Sequence, residues 1–516
     1  MEAIDSPARQ SSIKDFERLR EKVFVERPVL ADIITKHGEM SLYEYALDYL
    51  DVNETALYKS RRPEFLSSFS ALAGKFLPPA VAQSACQQLE KYFFVSTSDH
   101  HGPLTHPFFL SSNLLNAVVA LEANDPVLEN IIVLACGSVS LDNSSFPRGL
   151  VFNSPLNSTN QLLRSAFFSS HERPSLVHLL RPYSKAELDK GKSSLDHYVK
   201  QKVISPQVVE MVGAIIDEIY APLITKGLPS YAAQVTASNY NLWRKFFSHA
   251  DFKKIPNLVY LELEDMVSRL LVDYHLKSGS YIYDLLFNDD FQNSVIKYLD
   301  GKLGSFCLDH KTDTFLFWAV PNGERYRKQL WKNGNRLCSD DGQYSIDLTP
   351  EAIKKALEKK EIMPSLLLDF VVLALYYGLK CLGGFSQVNY LTGMKQGFIQ
   401  VLTELGKSEE ISSLEVVQTK ELVGDITLAF IKTQDGQTIP ATGLDLALYA
   451  NGNLWSTLIS QSKIITLKEA MSPMMPEFYR MIYFETEREP ALSAVTSETI
   501  ARLIQLDKKI KPCIVF

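Results

Sequence analysis

Three histidines and an aspartate crowd one short segment of the chain, Ser98-Asp99-His100-His101-Gly102-Pro103-Leu104-Thr105-His106-Pro107. Imidazole titrates closer to neutrality than any other side chain, and in its neutral form it is a common metal ligand, so the crowding marks a candidate site. Two chemistries suit it. With Asp99, histidines drawn from His100, His101 and His106 would hold a divalent ion such as zinc, iron or manganese and leave a position open for water or substrate. Without a metal, His100 or His101 would act as general base, oriented by Asp99 through its other ring nitrogen. The structural alternative is that Asp99 caps a turn and the imidazoles are hydrogen-bonded. Extended backbone sends His100 and His101 to opposite sides, whereas His106 can return after the Gly102-Pro103 turn. No HExxH sequence occurs, and the segment lacks the aspartate of an HHxxxDG pattern.

A second segment, Asn143-Ser144-Ser145-Phe146-Pro147-Arg148-Gly149, adds a guanidinium and several hydrogen-bonding groups. Arg148 would clamp a substrate carboxylate or phosphate bidentately, with Asn143 and Ser145 orienting its polar groups. The competing role for Arg148 is to brace a surface loop. Gln387 and Tyr390, in a turn expected after Gly383-Gly384, are further substrate-binding candidates. Those glycines fit a helix C-cap, because neither a GxxxxGK[ST] nor a GxGxxG arrangement surrounds them. Arg325, Arg327, Lys328, Lys332 and Arg336, interleaved with Tyr326 and Trp331, would suit an anion or a single strand of nucleic acid, but read first as a solvated face.

These residues need elements to carry them. An apolar run at Phe93-Phe94-Val95 delivers the chain to the histidines, and Asn130 to Cys136 has the continuous apolarity of a strand buried on both faces. Each run ends in a polar loop, so the histidine loop and the Asn143 to Arg148 loop would share one sheet edge. Helical patterns dominate residues 1–90, with Ser12 as a cap and Pro78-Pro79 opening a helix toward the first strand. Leu258 to Leu276 reads as helix, Thr314 to Val320 as strand before the Pro321-Asn322-Gly323 turn, and Pro364 onward as a buried helix ending at Gly383-Gly384. Asp435-Gly436 marks a hairpin. The class expected is mixed α/β (α+β): a helical N-terminal region over 1–90, a sheet-containing core with the candidate site over 91–250, a mostly helical region over 251–410, and a hairpin plus C-terminal helices over 411–516.

The composition bounds the function. At 516 residues, 46% hydrophobic and 22% charged, the chain can bury a large core and is not disordered. A net charge of -7 gives no electrostatic case for binding nucleic acid. Six cysteines scattered without a CxxC pair suit a reducing compartment, and the polar first twenty residues carry no secretory apolar core. The expectation is a cytoplasmic enzyme, not membrane-bound, acting on a small, polar, anionic metabolite through a histidine site with a divalent metal or an acid/base imidazole. A non-catalytic small-molecule or metal-binding protein and a helical interaction scaffold are the alternatives.

Overall fold

The computed structural model of the protein describes residues 7–143, 149–154, 156, 162–248, 255–321, 324 and 326–516. Four strands position the site: β1 Phe94–Ser96, β2 Asn130–Ala135, β3 Asn257–Glu262 and β4 Lys380–Leu382. All neighbouring pairs run parallel, in the spatial order β4-β1-β2-β3. Every residue of β2 is buried, as its unbroken apolar sequence requires. Alternation along the pleat then divides the side chains between two cores: Ile131, Val133, Leu258 and Tyr260 enter one, Ile132, Leu134, Val259 and Leu261 the other.

Helices cover both faces. On the first lie α1 (Pro107–Glu122), which connects β1 to β2, and α2 (Tyr231–Phe246). Trp243 of α2 is fully buried there and donates its indole N–H to the Pro256 carbonyl at 2.8 Å. Burying an aromatic side chain of this size contributes roughly 1.5–3 kcal/mol. On the second face lie Ala56–Ala73, Pro79–Lys91, α3 (Leu263–Leu270) and the greater part of α4 (Phe385–Glu404), whose Phe385 and Val388 enter the first core. The N-terminal helices therefore serve both layers, with Leu19 and Leu30 in the first core and Phe65 and Phe69 in the second. The result is a mixed α/β fold with helical material at both ends of the chain.

Several local expectations change. Leu258 to Leu276 is not one helix: residues through Glu262 form β3, followed by α3 and one π-helical turn. A run apolar at nearly every position does not distinguish strand from buried helix by period, and pairing with β2 decides for strand. The buried helix starting near Pro364 ends by Tyr376, well before Gly383. Gly378, at φ +70°, turns the chain into β4, and a Cβ there would lie 2.5 Å from the Tyr58 ring. Lys380 accordingly opens a strand, where its buried ammonium donates to the carbonyls of Asp48 at 2.6 Å and Asp51 at 2.7 Å. Between β3 and β4 an antiparallel sheet of Phe317–Ala319, Lys328–Asn333, Arg336–Ser339, Ser345–Asp347 and Ile362–Pro364 is inserted among the helices. The Asp435-Gly436 hairpin forms as its turn residues dictate, joining Phe430–Lys432 to Thr438–Pro440.

Candidate functional site

Parallel strands put all their carboxyl ends on one edge, where ligands of open α/β sheets commonly bind. Here that edge gathers Asp99 and His100 after β1, Cys136 to Ser138 after β2, Glu262 to Asp265 at the end of β3, and Gly383-Gly384 after β4. The β1 and β2 chains stay joined beyond the strands, since Cys136 N–H donates to Asp99 O and His101 N–H to Cys136 O, both at 2.8 Å. The His178 N–H in turn donates to Gly137 O at 2.9 Å, which brings a distant loop onto the edge.

The histidines named from the sequence separate here. His100 and His101 do face different neighbours: the His100 ring lies against Phe109 and its Nδ1 is 3.4 Å from Asn143 Oδ1, while the His101 ring packs on Tyr260. The His100 contact joins the two loops expected to share an edge. His106 caps α1, its Nδ1 accepting the Phe108 N–H at 3.4 Å. Asp99 turns inward, accepting from Asn113 Nδ2 at 2.9 Å and Ser98 Oγ at 3.0 Å. Burial lifts its carboxyl to about 7, against those hydrogen bonds. Burial also lowers His100, takes His106 down to about 4 and takes His101 down to about 3. Asp99, His100, His101 and His106 do not bring three donor atoms within 4.8 Å of one another.

Of the proposed substrate-binding residues, Asn143 reaches the edge, and Ser145 and Arg148 lie outside the described residues. Gln387 and Tyr390 are not in a turn but in the first turns of α4, whose opening N–H at Phe385 is capped by the Asp425 carboxylate at 2.8 Å. Gln387 is spent on Thr97 Oγ1 at 2.6 Å, a packing role. Tyr390 stacks obliquely on Phe370, and burial together with the neighbouring Cys136, Cys381 and Asp369 raises its pKa well above the usual phenol.

A different group converges. Among the described residues, His178, Glu262 and Asp265 alone place three donor atoms of metal-ligating residues within 4.8 Å of one another. His178 Nδ1 is hydrogen-bonded to Glu262 Oε1. Lys360 Nζ lies 2.7 Å from Asp265 Oδ1 and 3.9 Å from Glu262 Oε2, an oxygen that is buried without a hydrogen bond. Burial and Lys360 oppose protonation of His178, yet Glu262 and Asp265 outweigh them and its pKa rises. Glu262 is raised by burial and by the Asp265 charge; Asp265 resists burial through Lys360 and His178 and is lowered. Asp265 and Lys360 line a cleft of about 700 Å³, with Phe76, Arg269 and Val272 on its other walls. Buried imidazole and carboxylate therefore stand behind an accessible carboxylate and ammonium.

One residue away, Glu264 is completely buried and accepts the N–H groups of Gly137 and Ser138, each at 2.7 Å. It fixes the loop that follows β2. None of Glu262, Glu264, Asp265 or His178 stands out in sequence, because no spacing links position 178 to positions 262–265. The legible signal is that the run Asn257 to Leu261 ends in Glu262-Leu263-Glu264-Asp265, an acid cluster at the carboxyl end of a buried strand. No family model matches the chain, and no curated protein matches it.

Proposed function

We propose that this protein is an enzyme acting on a small, polar, anionic metabolite at the carboxyl edge of its parallel sheet, with His178 as acid/base. The observation that carries this is the His178–Glu262 pair beside Asp265 and Lys360 at the cleft. A carboxylate bonded to Nδ1 fixes the imidazole's orientation and tautomer, leaving Nε2 to exchange a proton with substrate. Asp265 and Lys360, reachable from the cleft, would position the polar groups of the substrate. His100 and Asn143 belong to the same edge and would close the site around it. The absence of a membrane-length apolar helix among the described residues and the six free cysteines fit a cytoplasmic enzyme.

A second reading is favoured by the unbonded Glu262 Oε2. One nitrogen and two carboxylate oxygens suit zinc, iron or manganese, and His178, Glu262 and Asp265 would hold the ion if Lys360 swung into the cleft. Such an ion would supply Lewis acidity or an activated water. Isothermal titration with Zn²⁺ and Mn²⁺ separates the two. Saturable binding at one ion per chain that disappears in Asp265→Asn supports the ion, whereas turnover in chelator without binding supports the metal-free dyad.

A further inference from the structure

Arg327 reaches the same edge from the inserted sheet. It donates Nη1–H to the Ser138 carbonyl at 2.9 Å, and its guanidinium carbon lies over the Trp318 ring, 3.9 Å from the centroid. Glu264 holds the N–H of the same Ser138, so this residue is gripped at both ends. Arg327 is partly buried, and among the described residues it has no carboxylate within ion-pair distance and no other hydrogen-bond acceptor. Burial lowers its pKa, with Cys136, Asp313 and Glu264 acting the other way from a distance. Glu264 is already committed to two backbone donors. Guanidinium does not release its proton in a protein, so a partly desolvated Arg327 is a standing positive charge with donors unspent.

We propose that Arg327 is the anion-binding group of this edge, taking a carboxylate or phosphate of a small ligand on the donors that Ser138 leaves free. The contact with Trp318 and the bond to Ser138 together hold the guanidinium in place, so a bidentate contact forms without ordering a long side chain. The ligand class is a small molecule carrying at least one carboxylate or phosphate. Arg327 thereby takes the part that the sequence suggested for Arg148. The proposal rests on the carboxyl edge being a binding site, but not on His178 being catalytic.

Tryptophan fluorescence, which Trp318 makes sensitive to events at Arg327, tests this in titrations with inorganic phosphate and with succinate at constant ionic strength. The wild type is expected to show a saturable response to at least one anion, and the anion that gives it identifies the headgroup. Arg327→Gln should weaken that binding at least about tenfold, while His197→Gln, on the exposed helix Asp196–Lys200, leaves it within about twofold. Equal loss in both variants would overturn the role of Arg327. No saturable response of the wild type up to about 50 mM of either anion would also overturn it, as would equal affinity in Arg327→Gln. Should Arg327→Gln lose its near-ultraviolet circular dichroism, the decision passes to Arg327→Lys, which keeps the charge but not the fork. That variant should bind several-fold more weakly, and unchanged affinity would contradict the proposal.

Discussion

His178 and Glu262 form a hydrogen-bonded pair in which neither side chain is more than 3% exposed, at the point where β3 leaves the sheet. Removing one member of such a pair strands the other in a poorly solvated place. His178→Ala is expected to destabilise the protein by about 3 kcal/mol, and Glu262→Gln, which can still accept from the imidazole, by less. The pair also sets a pH signature. The His178 pKa is higher in the folded state than its ordinary 6.5, so its contribution is complete below that value and fades as the pH rises through the raised one. Asp265 is lowered from 3.8, so its contribution is present above that value and fades as the pH falls through the lowered one. Urea denaturation at a series of pH values should show the decline above pH about 6.5 flattened in His178→Gln.

Asp99 carries the opposite sign from a stabilising carboxylate. Its pKa rises from 3.8 to about 7 on folding, so ionisation favours the unfolded chain, and stability falls as the pH climbs between those values. Asp99→Asn removes this dependence while keeping an acceptor for Asn113, and Ser98 can reverse its hydroxyl to accept. Relative to wild type, the variant should gain about 2–4 kcal/mol of stability between pH 4 and pH 8. Urea midpoints at the two pH values measure it; a constant difference would show that Asp99 stays ionised.

Lys360 is the cation that the His178, Glu262 and Asp265 group already has, 2.7 Å from Asp265. If a divalent ion uses that group, it must displace the ammonium. Lys360→Met is then expected to tighten Mn²⁺ or Zn²⁺ binding by about tenfold in calorimetric titration, a change of about 1.4 kcal/mol. Weaker or absent ion binding in Lys360→Met would assign the group to metal-free chemistry.

Much of the scaffold is legible in the residues themselves. The unbroken apolarity from Asn130 to Ala135 specifies a strand covered on both faces, Pro79 opens its helix, and Asp435-Gly436 makes its turn. The edge that bears the polar loops was legible too, because strands ending in polar segments bring those segments together, as His100 and Asn143 show. What the sequence does not show is which histidine joins the buried acid group. The crowding of His100, His101 and His106 reflects three separate local tasks: ring packing beside Asn143, burial against Tyr260, and capping of α1. No spacing marks His178, because its partners lie 84 and 87 positions away and only the register of β3 against β2 brings the acids to it. A continuous helix over Leu258 to Leu276 would carry no such register.

The most direct measurement follows conversion of a defined mixture of phosphorylated and carboxylated metabolites by mass spectrometry, with wild type, His178→Gln and His197→Gln side by side. His197 lies on an exposed helix and serves as the control. A role for His178 as acid/base requires that wild type and His197→Gln consume the same small anion, and that His178→Gln is slower by at least about a hundredfold. No conversion by the wild type, or equal conversion by His178→Gln, would contradict it.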